Sequence, residues 1–329
     1  MNIAFVSTAH IHTKNFIEGI LKATDGRKVA AVWDDVEDRG RRYAEMAGAP
    51  FVADLAKVLA DPTIDGFVIC AENTRHLPLL NQVLPVGKPV FCEKPLVTSV
   101  DDLEEVRVLQ GKFKTPLFCG YFQPFDGHMK AIAKLVSDGA VGKVTRIRYR
   151  NAHHAAYGRW FDNPDLAWFY NPELSGGGAF MDMGTHALHL VRTLFGPVTE
   201  AWAEIGNHSG IYPDVDDFGI AQLHFASGVL GTVEAAWTQT GGIGGLEVVG
   251  SEKTIWNTKE GYVIGDGLAS HPIPAVEGSP TRVDRLVAVI QGKIDGESLR
   301  SDLDATFDTV AIMAAAYASA KKGSWVTVG

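Results

Sequence analysis

Over the first 120 or so residues, short β-branched runs alternate with longer stretches whose apolar positions recur at helical spacing. Residues 3–6, 29–33, 66–69, 90–92 and 117–119 read as strands, and residues 14–23, 36–47, 54–60, 76–85 and 99–111 read as helices. Strand and helix in that rhythm predict a parallel sheet wound on both faces. Beyond residue 120 the rhythm changes. One helix is expected over 124–138, and then come strand-like runs at 143–152, 198–205, 218–225, 229–237, 246–249 and 254–257, several with turn residues such as Ala226-Ser227-Gly228 between them. These predict a hairpin-connected, mostly antiparallel sheet. Residues 283–290 and 303–321 look helical and either cover that sheet or return to the first domain, and 265–280 reads as a loop. The expected architecture is α/β: a doubly wound parallel sheet in residues 1–121, then an α+β domain with a large, mostly antiparallel open sheet in residues 122–329.

Composition narrows the classes. Of 329 residues, 46% are hydrophobic and 21% charged, enough for two domains with full cores. A net charge of −9 with no basic run argues against a nucleic-acid partner. No apolar stretch has the length of a membrane span, and Met1 leads straight into the first strand without a charged leader, so no signal peptide is expected. Cys70, Cys92 and Cys119 each close an apolar run and share no CxxC spacing, which fits reduced, buried thiols in a cytosolic protein.

Candidate chemistry gathers at the ends of the strands. Val90-Phe91-Cys92 runs into Glu93-Lys94-Pro95, and Pro95 forbids a further ladder donor, which places a charged pair at the carboxyl end of a buried strand. In an open α/β sheet ligands bind there. After the first strand, the glycine places of a GxGxxG fingerprint hold Ser7, Ala9 and His12. Ser7 and Ala9 are small enough for a diphosphate to approach the backbone, whereas an imidazole stands where close helix–strand packing is usual. Asp34, ending the second strand, is placed as a ribose 2′-hydroxyl acceptor or as a helix cap. A carboxylate there disfavours a 2′-phosphate, although Arg39, Arg41 and Arg42 keep NADP open beside NAD. Asn73 is suited equally to capping the next helix and to touching a cofactor.

Further along, the connection 153–175 carries His153, His154, Tyr157, Arg159, Trp160, Trp168, Phe169 and Tyr170, aromatic faces suited to a sugar ring or to an oligomer contact. Gly176-Gly177-Gly178 then leads into a helix from Phe180 on which Asp182, His186 and His189 share one face. A histidine one turn from an aspartate, behind a glycine-rich lead-in, suits acid–base work. The His pairs 10/12 and 153/154 lack a third ligand, so no metal is expected.

Gly87-Lys88-Pro89-Val90-Phe91-Cys92-Glu93-Lys94-Pro95-Leu96 and Gly176-Gly177-Gly178-Ala179-Phe180-Met181-Asp182-Met183-Gly184-Thr185-His186, about 80 residues apart, resemble motifs of the glucose–fructose oxidoreductase, inositol dehydrogenase and rhizopine-catabolism (Gfo/Idh/MocA) family. Asn73 with His76 matches its Asn-x-x-His, and Asp216-Asp217 precedes a strand as in its members. The turn after the first strand departs from the pattern, and Tyr121-Phe122-Gln123-Pro124 lacks the arginine common there. The resemblance implies an NAD-binding Rossmann domain, and a second domain whose sheet forms a homodimer or homotetramer contact. It also implies a cytoplasmic oxidoreductase moving a hydride to or from a CH–OH carbon of a sugar, polyol or related compound. Lys94, Asp182 and His186 would be its catalytic set. Ser7, Thr8, Ala9, His10, Ile11, Asp34, Ala71, Asn73, His76, Glu93 and Lys94 would bind cofactor, and Gln123, His153 and Trp168 would join Lys94, Asp182 and His186 at the substrate. Two rival readings are a redox-assisted lyase or glycosidase that recycles its NAD, and a metal-dependent or cofactor-free relative.

Overall fold

A computed structural model describes every residue, Met1–Gly329. In chain order the elements are β1 (Asn2–Thr8), α1 (Thr13–Lys22), β2 (Lys28–Trp33), α2 (Glu37–Ala47), α3 (Leu55–Ala60), β3 (Gly66–Cys70), α4 (His76–Val83), β4 (Val90–Cys92), α5 (Val100–Phe113) and β5 (Leu117–Cys119). Then come α6 (Gly127–Ser137), β6 (Val144–Ala152), α7 (Pro172–Ser175), α8 (Thr185–Phe195), β7 (Val198–Gly206), β8 (Phe218–Phe225) and β9 (Leu230–Ala236). The chain closes with β10 (Gly245–Gly250), β11 (Thr254–Thr258), β12 (Gly261–Gly265), β13 (Ser270–Pro272), α9 (Arg282–Ile290), α10 (Gly296–Lys322) and β14 (Val326–Thr327).

Two compact units emerge, and the division is not one cut near residue 121. The first combines Met1–Gly120 with Phe161–Gly176 and Pro280–Thr306, and the second holds Tyr121–Trp160, Gly177–Ser279 and Phe307–Gly329. In the first unit the strands run parallel in the order β2-β1-β3-β4-β5. All five residues of β3 and all three of β4 are buried, as expected of a sheet covered on both faces. Phe16, Ile17 and Ile20 of α1 pack over it with Val283, Leu286 and Val287 of α9, so α9 belongs to this core. Gly66 marks the contact: a Cβ there would meet Ile290 and Leu286 side chains at 3.0 and 3.3 Å.

The second unit is built on nine strands in the order β13-β12-β11-β10-β6-β9-β8-β7-β14. Its pairs are antiparallel except β6–β9, which run parallel because the chain leaves the sheet after β6 and returns through α8 and two further strands. The burial of β8 alternates strictly, one face on the core and one away from it. Leu188, Leu190 and Val191 of α8 fill the covered face together with Ile312, Met313 and Ala316 of α10. Residues 270–272, inside the 265–280 stretch whose sequence reads as loop, form β13 and pair with β12, because alternation over so few residues gives little signal.

Candidate functional site

The first unit concentrates its polar chemistry where β1, β3 and β4 end. Ser7 keeps the backbone that glycine favours, with φ +66°, and its buried Oγ meets no hydrogen-bonding partner in the protein. Thr8 is tied to Asp34 twice: its amide and its Oγ1 donate to Asp34 Oδ2 at 2.8 and 2.5 Å. Arg39 donates to both Asp34 oxygens at 3.0 and 2.8 Å and to Glu72 at 3.0 Å, while the Val36 amide takes Asp34 Oδ1 at 2.8 Å. Asp34 is thereby buried in a network that shapes the turn. Its neighbour Asp35 instead helps to wall a cavity of about 210 Å³, with Ser7, Trp33, Ala71, Arg75, Pro78 and Leu79.

Ala9 is buried and its carbonyl accepts the Trp168 indole N–H at 3.1 Å, so Trp168 braces the turn of its own unit. His10 lies between that turn and the rings of Trp168 and Phe169, at 6.1 and 5.8 Å, and Ile11 is exposed. Asn73 does not cap a helix with its side chain: its Nδ2 donates to the Ser175 carbonyl at 2.8 Å. The buried His76 ring sits between the carbonyls of Pro95 (2.8 Å) and Ala71 (3.2 Å) and so joins two strand ends; burial outweighs both contacts and lowers its pKa.

Glu93 and Lys94 are buried, and the Lys94–Pro95 peptide is cis. The Lys94 amide donates to Glu93 Oε2 at 3.0 Å. Glu93 Oε1 lies 3.3 Å from His12 Nδ1 and 3.9 Å from His10 Nδ1. Burial acts to raise the Glu93 pKa, but His10 and His12 outweigh it and hold the carboxyl well below its usual range. Burial drives Cys70, Cys92 and Cys119 the other way, to thiols with pKa values well above normal, as the sequence suggested for structural cysteines.

In the second unit the helix of the glycine-rich motif begins with a π turn over Phe180–Gly184 and becomes α-helical at Thr185. Three contacts fix that turn. Asp216 caps it, accepting the Gly178 and Phe180 amides at 2.8 and 2.7 Å and the Tyr317 hydroxyl at 2.8 Å. Asn151 Nδ2 donates to the Met183 carbonyl at 2.9 Å. The fully buried Trp237 donates its indole N–H to Asp182 Oδ2 at 2.9 Å, which sets the carboxylate's orientation. Burial raises the Asp216 pKa although amide bonds oppose it, and burial with the Asp216 charge drives Tyr317 up.

His186 is buried, and its ring meets those of Tyr121 and Phe122 edge-to-face at separations of 5.8 and 5.3 Å. Tyr121 is locked in turn: its hydroxyl shares a 2.6 Å hydrogen bond with Thr185, and its face stacks on His189 at 3.9 Å. His189 therefore belongs to the packing of the helix. Gln123 opens a 3₁₀ turn with its Oε1 buried and unbonded. His153 Nδ1 accepts from the Ala155 amide at 3.2 Å and its ring lies 4.8 Å from Trp160. The supporting roles of Trp237 and Tyr121 leave no mark in the sequence, since nothing local marks an indole or a phenol as the support of a carboxylate or imidazole many residues away.

Two family models match this chain. The oxidoreductase family's NAD-binding Rossmann fold covers residues 1–121, and the GFO/IDH/MocA C-terminal domain covers residues 129–256. The chain belongs to the Gfo/Idh/MocA family. Its first unit is accordingly an NAD-binding Rossmann domain, and the cavity beside Asp35 and the glycine-like bend at Ser7 lie at the carboxyl ends of its strands, where such a sheet takes its ligand. A myo-inositol 2-dehydrogenase of Thermotoga maritima is 28% identical over 191 residues, which is 58% of this chain and 52% of that enzyme. Such matched stretches span about half the length of the curated relatives. Among solved structures of the fold are an aldose-aldose oxidoreductase from Caulobacter crescentus complexed with glycerol (TM-score 0.80, 21% identity, 99% of each chain) and a levoglucosan dehydrogenase with NADH and L-sorbose (TM-score 0.79, 18% identity, 100% of this chain and 99% of that one).

Proposed function

We infer that the protein is an NAD(H)-dependent dehydrogenase or reductase acting on a CH–OH or carbonyl carbon of a sugar, polyol or related compound. The observation that carries this reading is the pairing of the NAD-binding fold with a second unit in which Asp182 and His186 stand on a turn pinned by Trp237 and Asp216. The nicotinamide, when bound, supplies or accepts the hydride. The protein has to hold substrate and move one proton. His186, whose imidazole can both accept and donate a proton, is suited to take the hydroxyl proton during oxidation and to return it during reduction. Asp182, oriented by Trp237, keeps the ring's charge balanced, and the Lys94 ammonium stabilises the alkoxide as negative charge develops. Gln123 and His153 of the second unit and Trp168 of the first are the remaining candidates for substrate contact.

NAD is favoured over NADP. Asp35 stands at the cavity wall, paired with Arg75. The arginines that would attract a 2′-phosphate are already matched, Arg39 to Asp34 and Glu72, Arg41 to Glu37, and Arg42 to Asp165. Titration of protein fluorescence with NADH and NADPH, followed by an oxidation screen over inositols, aldoses and their lactones, tests the assignment. Tighter NADH binding and stoichiometric NADH production with a polyhydroxy substrate are expected. Binding of neither nucleotide would remove the reading, and product formation with no net NADH would turn it toward the redox-assisted lyase.

A further inference from the structure

His10 and His12 stand two residues apart in the turn between β1 and α1, and Glu93 follows the end of β4. The sequence offers the two histidines without a third ligand. The fold supplies it. One donor atom from each residue lies within 4.8 Å of the others, with His12 Nδ1 3.3 Å and His10 Nδ1 3.9 Å from Glu93 Oε1. A four-coordinate zinc with bonds of about 2.0–2.1 Å sets its donors about 3.3 Å apart. The two carboxylate–imidazole separations are thus already near the required value. Only the widest has to contract, and His12, whose side chain is 28% exposed, has room to turn.

The surroundings are those of a held ligand set. Glu93 is completely buried, and its second oxygen is engaged by the Lys94 amide at 3.0 Å, which aims Oε1 at the imidazoles. Gly120 makes room for that carboxylate, since a Cβ there would meet Glu93 Oε2 at 2.6 Å. The His10 amide is anchored on the Cys70 carbonyl at 2.9 Å, and its ring is packed by Trp168 and Phe169. His12 packs against Phe16 at 5.8 Å. The His12 amide also points at His10 Nδ1, at 3.3 Å, a long contact that ligation through Nδ1 would replace. Outer contacts of this kind orient metal ligands in general.

We propose that His10, His12 and Glu93 form a binding site for one divalent transition-metal ion, zinc being the ion that two imidazoles and a carboxylate suit. Three protein ligands leave a fourth position to water or to an oxygen of a bound anion. The argument for the site does not rest on the hydride-transfer reading, although the site shares His10 and Glu93 with the residues expected to meet the cofactor. One of its ligands, His12, stands at the third glycine place of the fingerprint, and the site gives that replacement a chemical purpose.

The test uses the full-length protein stripped with a chelator and titrated with Zn²⁺ by calorimetry and with Co²⁺ by visible absorption. Binding of one equivalent is expected, with the absorption of a four-coordinate cobalt–nitrogen–oxygen site and a Zn²⁺-dependent rise in Tm. His12→Ala, the variant least able to disturb the fold because His12 is the most exposed ligand, should weaken binding at least tenfold and abolish the Tm response. Glu93→Gln should do the same. A His153→Ala/His154→Ala double variant should bind as wild type does. Absence of binding, affinity unchanged in His12→Ala, or affinity lost in the His153/His154 variant would each overturn the site and leave a hydrogen-bonded His–Glu cluster. NADH titration of the chelated protein reads the cofactor assignment separately, so the two ideas fail independently.

Discussion

The turn Ser7–His12 of the first unit and the segment Gly177–His186 of the second solve the same steric problem in opposite ways. Both bring backbone close to something. In the second segment the obstacle is the protein itself: a Cβ on Gly178 would overlap the Asp216 carbonyl oxygen, and one on Gly177 would stand 2.5 Å from the Tyr317 hydroxyl. The obstacle at Gly178 is main chain, and Asp216 is held in place by the Gly178 and Phe180 amides that donate to its carboxylate. In the first, the glycines are gone but the shape is kept. Ser7 takes the left-handed backbone conformation, and Asp34 grips Thr8 through main chain and side chain. A glycine pattern is therefore a dependable sign where clearance is against fixed protein atoms. It is a poor one where side-chain hydrogen bonds can impose the same bend.

If the second segment carries the proton chemistry, its largest signal is kinetic. His186→Ala should lower kcat by about 10²–10⁴-fold, the usual worth of positioned acid–base catalysis, while leaving the Kd for NADH within about twofold. Lys94→Ala should cost at least as much. His189→Ala serves as the contrast, because its ring is stacked on Tyr121 within the packing. Its effect should fall on Tm, with kcat within about tenfold of wild type. Comparable kcat losses in the two histidine variants would mean that the helix face, and not one residue, is what matters.

The steric half of the comparison is tested by Gly178→Ala. Overlap with a main-chain oxygen cannot be relieved by rotating a side chain, so destabilisation of roughly 3 kcal/mol or more is expected from denaturant unfolding. A loss under 1 kcal/mol would show that the Asp216 cap is not fixed.

How much of this was legible in the sequence follows the range of the interactions. Strands at 3–6, 66–69 and 90–92 and the helix beginning at Phe180 all emerge within a few residues of where the periodicity placed them, because burial on one or both faces writes itself into local pattern. The catalytic candidates were legible as motifs. What supports them was not: Trp237 reaches Asp182 from 55 residues away, and Asp216 reaches Gly178 from 38. The same limit hid Glu93 from His12, 81 residues apart. Asp34 was visible as a carboxylate at a strand end, but only the fold reveals that Arg39 and Thr8 occupy it and that its neighbour Asp35 walls the cavity.

The first unit also buries charge where the second segment buries clearance, and pH separates the two. Burial pushes the Asp302 carboxyl up to about 6 from 3.8, and it lowers Arg285, 3.4 Å away, with only partial relief from Asp302. A carboxyl whose folded pKa is raised contributes stability that is complete below about pH 4 and is lost as pH rises through 6. Between pH 5 and 7 that loss is about 1 kcal/mol. Denaturant unfolding at both pH values should show it in the wild type, and Asp302→Asn should flatten the difference. An unchanged slope in the variant would assign the pH dependence to other groups.

The smallest effect concerns Ser7, and it decides whether the first turn is a strained copy of a glycine turn. A non-glycine residue in the left-handed region costs about 1–2 kcal/mol. Replacing it with glycine gives back about 0.4–1 kcal/mol through the looser unfolded chain. The balance is tipped by the Ser7 hydroxyl, which is buried without a partner in the protein and so carries a desolvation cost that glycine removes. Ser7→Gly should therefore be more stable by about 1 kcal/mol in denaturant unfolding. The NADH titration sharpens the result. Equal or tighter binding by the variant means that the backbone alone meets the cofactor, as in a glycine turn. Weaker binding in a more stable protein means that the Ser7 hydroxyl is itself a cofactor ligand, and that the lost glycine was exchanged for a contact. Loss of stability would end the comparison, because the φ of Ser7 would then be held without strain.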